Sequence, residues 1–183
     1  MNVLIIDSGV NGKVAGRVNY VPYESDSDYL GHGSIIAYII RAINPDSNIY
    51  SAKITDRAGS TVNDKLAKAL MYALTHNIDI INVSLGLPSY SENIQNAINA
   101  LRSKGVLVIC SAGNNVGDIY PAKYNNVITV GALNDDGSIA SYSAEAQVYT
   151  YGSITINGST YIGTSFATAV ITGILSRTDT SID

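Results

Sequence analysis

The stretch that decides the fold is Gly163-Thr164-Ser165-Phe166-Ala167-Thr168-Ala169. Its single serine opens an apolar run of mostly small residues that continues to Leu175. We predict that Ser165 lies in the first turn of a buried helix, because small residues let a helix pass through the middle of a domain. At such an N-terminus the free N–H groups and the helix dipole favour negative charge. Ser165 is therefore a candidate nucleophile if a base is nearby. The alternative is that Thr164 or Ser165 only caps the helix.

The bulk composition argues against several classes of protein. The 183 residues are 46% hydrophobic and 14% charged, which favours one domain with a sheet covered on both faces. The net charge of −4 gives no basic stripe for nucleic acid, and no apolar run is long enough to cross a bilayer. The sequence shows no secretory signal, and its one cysteine, Cys110, excludes an intrachain disulfide framework. We therefore expect a cytoplasmic protein with no nucleic-acid and no membrane partner.

Predicted strands and helices alternate along the chain. Continuous apolar runs are typical of strands buried on both faces, and apolar residues at helical spacing mark the helices between them. Strands are expected at 3–6, 18–21, 49–54, 79–84, 106–109 and 127–130, and helices at 32–43, 61–76, 91–104 and 165–175. The stretch 148–162 alternates and contains Asn157-Gly158, a strong hairpin signal. The pattern predicts an α/β fold, with a mostly parallel twisted sheet and helices on both faces.

Five polar residues fall where this topology brings distant segments together. Asp7, Ser84 and Asn114 each follow the carboxyl end of a buried strand, and in a parallel sheet those ends share one edge. His32 and Ser165 open helices that begin near the same edge. An aspartate, a histidine and a serine there suggest nucleophilic catalysis, in which the histidine takes the serine proton and the aspartate holds the other ring nitrogen. The Asn114 amide and the Ser165 N–H are candidate donors to an oxyanion.

Some of these residues also have simpler interpretations. Asp7 suits a turn before a glycine, a phosphoacceptor or a metal ligand, although residues 9–14 lack the spacing of a phosphate loop. Asp26 and Asp28 are interpreted as solvated loop charges. His32 lies between two glycines, which leave its ring accessible to other groups, and this arrangement is unusual for a structural histidine.

The motifs closely resemble those of the subtilisin-like serine peptidases (subtilases, peptidase family S8). Asp7-Ser8-Gly9 is similar to the family's aspartate motif, Gly31-His32-Gly33-Ser34 to its histidine motif, and residues 163–167 to its serine motif. Their order, Asp, His, Ser, is also the subtilisin order. The resemblance covers nearly the whole chain. It implies a three-layer subtilisin-like fold in a single minimal catalytic domain spanning residues 1–183.

The resemblance also implies an activity and a set of site residues. It implies a serine endopeptidase that forms an acyl-enzyme through Asp7, His32 and Ser165, with Asn114 in the oxyanion hole and an extended peptide or protein substrate. The implied substrate-binding residues are Gly59, Ser84, Leu85, Gly86, Ala112, Gly113 and Ile119. Ile119 stands where the family often has a small residue, at the base of the pocket for the P1 side chain. We therefore expect a shallow apolar pocket that favours small or medium P1 residues.

The chain also departs from the family pattern. Family members usually have a longer segment before the aspartate, and often an inhibitory pro-segment, whereas Asp7 is almost at the start. The predicted helix after His32 leaves no room for the calcium-binding loop that members often carry, so no metal and no cofactor are predicted. A partner protein or an oligomer is expected to compensate for the short termini. Two alternatives stay open: macrocyclisation through the same acyl-enzyme, and a catalytically silent peptide-binding or assembly module on the same fold.

Overall fold

The computed structural model describes residues 1–115 and 119–177. Residues 116–118 and 178–183 of the predicted single domain lie outside the described residues. The elements of the described ranges are β1 Asn2–Asp7, β2 Gly16–Asn19, α1 His32–Ile43, β3 Asn48–Lys53, α2 Asn63–Thr75, β4 Ile80–Val83, α3 Glu92–Ser103, β5 Leu107–Ser111, β6 Ile128–Leu133, β7 Val148–Tyr151, β8 Ser153–Ile156, β9 Ser159–Ile162 and α4 Thr164–Leu175. The strands and helices predicted from the apolar patterns are thus present, with ends that agree or differ by up to three residues.

Seven strands of the described ranges form one sheet, in the order β2-β3-β1-β4-β5-β6-β7. Every neighbouring pair runs parallel. The chain first builds outward on one side of β1 and then, from β4 onward, on the other side, so the strand order reverses between β1 and β4. Open α/β sheets leave a crevice at such a reversal, outside the carboxyl ends of the strands. Asp7, which ends β1, and Ser84, which follows β4, lie at this crevice.

Helices cover both faces of the sheet, which confirms the predicted α/β fold. Along β1, Leu4 and Ile6 pack into the cluster formed with α2 and α3, whereas Val3 and Ile5 pack into the cluster formed with α1 and α4. This alternation is the two-residue period of a strand, and it explains why β1 is a continuous apolar run. The layers are therefore helix, sheet and helix.

The central helix α4 is buried along most of its length, as its small residues predicted. Two buried threonine hydroxyls of this helix have hydrogen-bond partners in its own backbone: Thr168 Oγ1 donates to Thr164 O at 2.7 Å, and Thr172 Oγ1 lies 2.8 Å from Thr168 O. Near its end, a Cβ on Gly173 would lie 2.9 Å from Ile43 Cβ. The glycine thus allows α4 to pack closely against α1, and these two helices carry Ser165 and His32 at their N-termini.

The stretch 148–162 differs from the expectation of one alternating hairpin. Its first part, β7, joins the edge of the main sheet parallel to β6, and only β8 and β9 form an antiparallel hairpin. The hairpin turn is the predicted Asn157-Gly158, with φ values of 50° and 80°. Alternation alone could not separate the two strands that precede this turn, because both are half-buried.

Candidate active site

Asp7 and His32 form the best-defined contact of the site. His32 Nδ1 lies 2.8 Å from Asp7 Oδ1 and 3.0 Å from Asp7 Oδ2. The Asp7 side chain is only 5% exposed, whereas that of His32 is 30% exposed, so the ring reaches toward solvent from a buried carboxylate. Gly33 makes this approach possible, because a Cβ there would clash with the Gly9 carbonyl oxygen. The second glycine of the histidine motif is therefore required by backbone spacing.

The charge around His32 favours a protonated ring. Burial of the imidazole lowers its pKa, but the charge of Asp7, the hydrogen bond with Asp7 and the charge of Asp28 all raise it. The net result is a pKa above the ordinary value of 6.5. Such a pKa suits a group that must accept and later return a proton near neutral pH.

Ser165 lies in the first turn of α4, where the sequence predicted it. Its hydroxyl donates a hydrogen bond to Ser84 O at 3.2 Å. Among the described residues, the hydroxyl makes this bond and does not bond to His32. The His32 ring is nevertheless a neighbour of this turn, since its centroid is 5.7 Å from that of Phe166, the next residue. The structure thus joins Asp7 to His32 directly and brings His32 to the start of α4, with the Ser165 hydroxyl turned toward β4.

Asn114 is anchored by its side-chain oxygen. Oδ1 accepts hydrogen bonds from Thr164 N at 2.8 Å and Thr164 Oγ1 at 2.9 Å. In the part of the chain that the structure describes, no hydrogen bond of the protein uses the Nδ2 donor. Gly163 leaves space for this amide, because a Cβ there would lie 3.2 Å from Asn114 Nδ2. The Asn114 amide N–H is therefore held beside Ser165 and is available to a ligand. The sequence analysis considered Thr164 only as a possible N-cap of the helix and did not predict that it anchors Asn114.

A cavity of about 400 Å³ opens beside Ser165 and Asn114. The predicted substrate-binding residues that line it are Ser84, Leu85, Gly86, Gly113 and Ile119. Ile119 fills the space between two glycines: a Cβ would lie 2.9 Å from Ile119 Cδ1 if placed on Gly86, and 2.7 Å if placed on Gly113. The cavity is therefore narrowed by an apolar side chain at the position that the sequence singled out.

Two predicted substrate-binding residues do not line this cavity. Ala112 borders a neighbouring cavity of about 620 Å³, which shares Ile119 with the first. Gly59 lines neither cavity. It lies in an exposed turn after β3 with φ +81°, where its N–H donates to Asp56 O at 3.0 Å.

The expectation that Asp28 is a solvated loop charge was wrong, whereas Asp26 is exposed as expected. Asp28 is only 6% exposed, because hydrogen-bond donors from Ser8, which follows β1, and from the start of α1 surround its carboxylate. Gly31 N donates to it at 2.8 Å and Ser34 N at 2.9 Å. A carboxylate four residues before the first residue of a helix was the available sequence signal, since free N–H groups in the first turn attract such a group.

A buried ion pair fixes the loop that precedes α1. Lys53 Nζ lies 2.9 Å from Glu24 Oε2, and each side chain is 2% exposed. Lys53 Nζ also donates to Ser27 O at 2.6 Å. The backbone N–H and the side chain of Arg57 donate to Glu24, and the Lys53 ammonium is its ion-pair partner; together they lower the pKa of Glu24 to about 2 against the opposing effect of burial. Sequence patterns did not indicate this pair, because Lys53 ends an otherwise ordinary strand.

Across residues 1–115 and 119–177, the helices all lack the combination of length and apolarity needed to cross a bilayer. Over the same ranges, the histidine, cysteine, aspartate and glutamate side chains form no group of three that could hold a metal ion.

A comparison with solved structures supports the fold. The crystal structure of a lanthipeptide protease is similar to this chain with a TM-score of 0.83 at 23% identity, over 94% of this chain and 70% of that one.

Relatives and a family model establish the family. The chain is 33% identical over 199 residues to M-protease of Shouchella clausii, covering 95% of this chain and 52% of that protein. It is also 33% identical over 198 residues to Subtilisin Savinase of Lederbergia lenta, covering 94% of this chain and 74% of that protein. The chain spans about half the length of several of the curated relatives it matches. The model of the subtilase family matches residues 5–180, and the chain belongs to this family.

Proposed function

We propose that this protein is a serine endopeptidase that cleaves peptides or proteins through an acyl-enzyme on Ser165. The observation that carries the proposal is the 2.8 Å contact between His32 Nδ1 and buried Asp7, beside a helix N-terminus that presents a serine. An imidazole held by a carboxylate through one nitrogen is oriented to take a proton at the other.

The first chemical step needs one side-chain rotation. The Ser165 hydroxyl turns from Ser84 O toward His32 Nε2, which accepts its proton as Oγ attacks the substrate carbonyl carbon. Asp7 stabilises the imidazolium that forms. His32 then returns the proton to the leaving amine as the peptide bond breaks. Water, deprotonated by the same imidazole, releases the acyl group and restores Ser165.

The oxyanion of each tetrahedral intermediate requires donors that are already in place. We assign this role to Asn114 Nδ2, since Thr164 holds the oxygen of the same amide at 2.8 and 2.9 Å. The backbone N–H of Ser165 is the second donor. It lies in the first turn of α4, where the helix dipole favours negative charge.

The cavity beside Ser165 supports a preference in the substrate. Ile119 occupies the space between Gly86 and Gly113, so the pocket accepts small or medium apolar P1 side chains. Residues Ser84, Leu85 and Gly86 follow strand β4 at the rim, where an extended peptide can add as a further strand.

An activity-based fluorophosphonate probe tests the proposal directly. We expect wild type to be labelled, Ser165→Ala and His32→Ala to remain unlabelled, and Ser141→Ala, which changes an exposed serine, to be labelled like wild type. A peptide library analysed by mass spectrometry then identifies linear cleavage products and separates them from cyclic ones. A wild-type protein that is folded, unlabelled and unable to cleave the library would favour the silent peptide-binding module instead.

A further inference from the structure

The carboxylate of Asp28 lies near the site and is surrounded by hydrogen-bond donors. Its Oδ1 accepts from Gly31 N at 2.8 Å and Ser8 Oγ at 2.8 Å, and its Oδ2 accepts from Ser34 N at 2.9 Å and Ser34 Oγ at 2.7 Å. Asp28 is only 6% exposed. A buried carboxylate is stable only when its oxygens are hydrogen-bonded, so these four donors fix its position closely.

Two of those donors belong to the backbone on either side of His32. Gly31 is the N-cap residue of α1, and Ser34 lies in its first turn. N–H groups in the first turn of a helix have no partner within the helix. Asp28 supplies that partner. Its two backbone hydrogen bonds fix the main chain at Gly31, just before His32, and at Ser34, two residues after it.

Ser8 connects Asp28 to the other carboxylate of the site. Its hydroxyl oxygen lies 2.8 Å from Asp28 Oδ1 and 3.0 Å from Asp7 Oδ1, and it accepts a hydrogen bond from Gly33 N at 3.1 Å. The single hydroxyl hydrogen is thus within reach of both carboxylates. Asp7 Oδ1 is also the nearer of the two Asp7 oxygens to His32 Nδ1, so one continuous network joins Asp28, Ser8, Asp7 and His32.

We propose that Asp28 is a positioning residue for the peptidase reaction, holding the first turn of α1, and with it the His32 imidazole, against the Asp7 carboxylate. The inference rests on the proposed function, and it adds a second buried carboxylate to the site. Asp28 acts through α1 and through Ser8, and its negative charge also acts on the imidazole through space.

Among the residues that the structure describes, the charges that act on the imidazole come from two carboxylates. Asp7 faces it from β1 and Asp28 from the preceding loop, and both raise the pKa of His32. On β3, the Lys53 ammonium is turned away toward Ser27 O and is paired with Glu24, which Arg57 also contacts. The first turn of α4 contributes serine, threonine and phenylalanine, which carry no charge near neutral pH. Removal of the Asp28 charge is therefore expected to lower the pKa of His32.

The decisive experiment compares Asp28→Asn with Asp26→Asn. Both remove one negative charge from the same loop, but Asp26 is exposed and asparagine remains a good helix-capping residue. The titration of His32 is followed by NMR, with His76, the other histidine of the chain, as an internal reference. We expect Asp28→Asn to lower the pKa of His32 by about half a unit or more, and Asp26→Asn to leave it unchanged. A His32 titration identical in Asp28→Asn and wild type would overturn the proposal.

Turnover provides the second measurement. We expect Asp28→Asn to lower kcat with little change in KM, since the substrate pocket is not touched. If Asp28→Asn fails to fold, Ser8→Ala removes the bridge while leaving both carboxylates, and it too is expected to lower kcat. A Ser8→Ala protein with wild-type kcat would contradict the network. The NMR titration needs no substrate, so it can fail or succeed independently of the peptidase assignment.

Discussion

Ser84 and Ser165 exchange hydrogen bonds, the hydroxyl group of each donating to the carbonyl oxygen of the other at 3.2 Å. Buried side chains extend this pair of hydrogen bonds into the core. Asn82 Nδ2 donates to Ser84 Oγ at 2.9 Å, and Thr172 Oγ1 donates to Asn82 Oδ1 at 2.9 Å. The start of α4 is thereby fixed to the end of β4. These contacts hold the backbone of Ser165, the proposed nucleophile, while its hydroxyl can still rotate about the Cα–Cβ bond.

Asn114→Ala should slow the chemical step more than it weakens substrate binding. Loss of one oxyanion donor costs about 10²–10³-fold in kcat in another subtilase, and we expect a loss of this size here. The measurement is kcat and KM on a cleaved library peptide. Asn125→Ala, which changes an exposed asparagine, serves as the control. A wild-type kcat in Asn114→Ala would show that the oxyanion assignment is wrong.

Ile119→Gly should widen the P1 preference. Removal of the side chain joins the spaces beside Gly86 and Gly113, so aromatic P1 residues gain room. We expect kcat/KM for Phe at P1, relative to Ala at P1, to rise at least about tenfold, which is the lower end of what one methylene group contributes in an apolar pocket. Ile139→Gly, at an exposed isoleucine, should leave the ratio unchanged. Efficient cleavage after Phe by wild type would argue against this pocket.

The pH profile of kcat/KM should show an acid limb whose midpoint lies above 6.5, because His32, the proposed base, can accept a proton only when neutral and its pKa is raised above that value. The raised pKa of His32 affects folding stability in the opposite direction, because it favours the folded protein at acid pH. A raised pKa stabilises the folded protein below 6.5, and that contribution is lost as the pH rises through the folded-state pKa. The acid limb is thus not an unfolding effect of His32. Circular dichroism across the same range provides the check, and a midpoint at or below 6.5 would contradict the assignment.

Glu24→Gln should destabilise the fold and weaken its acid sensitivity. The pKa of Glu24 is lowered from 4.5 to about 2, so its stabilising contribution is present above pH 4.5 and is lost as the pH falls toward 2. The variant also leaves the Lys53 ammonium buried without its carboxylate. We expect a lower Tm at neutral pH and a flatter dependence of Tm on pH in the acid range. Glu145→Gln, at an exposed residue, should behave like wild type, and equal acid slopes for wild type and Glu24→Gln would contradict the role of this pair.

The sequence predicted the framework well, because buried parallel strands and amphipathic helices carry strong periodic signals. Residues 3–6 were predicted as a strand because both faces are covered, and β1, an interior strand of the sheet, ends at Asp7. The positions of His32 and Ser165 at helix starts were also predicted, because glycines and a change of period mark those starts. The contact between His32 and Asp7 follows from this topology.

The missed features are polar groups buried by long-range pairing. Lys53 and Glu24 are far apart along the chain, and neither has a local pattern that distinguishes a buried charge from a solvated one. Asp28 was missed for the same reason, since its burial depends on donors contributed by Ser8 and Ser34. The direction of the Ser165 hydroxyl is a rotamer choice set by the carbonyl of Ser84, and no sequence pattern encodes it.

The absence of a side chain at Gly33 has a consequence for genetic screens. Every other amino acid brings a Cβ into the Gly9 carbonyl and pushes α1 away from β1, so saturation mutagenesis should find this codon as intolerant as the codon for His32. Glycine has no side chain that could supply a proton, a charge or a nucleophile. A map of mutational tolerance would therefore mark Gly33 as essential although it performs no chemistry, and such maps in this family report the spacing of the backbone as well as the reacting groups.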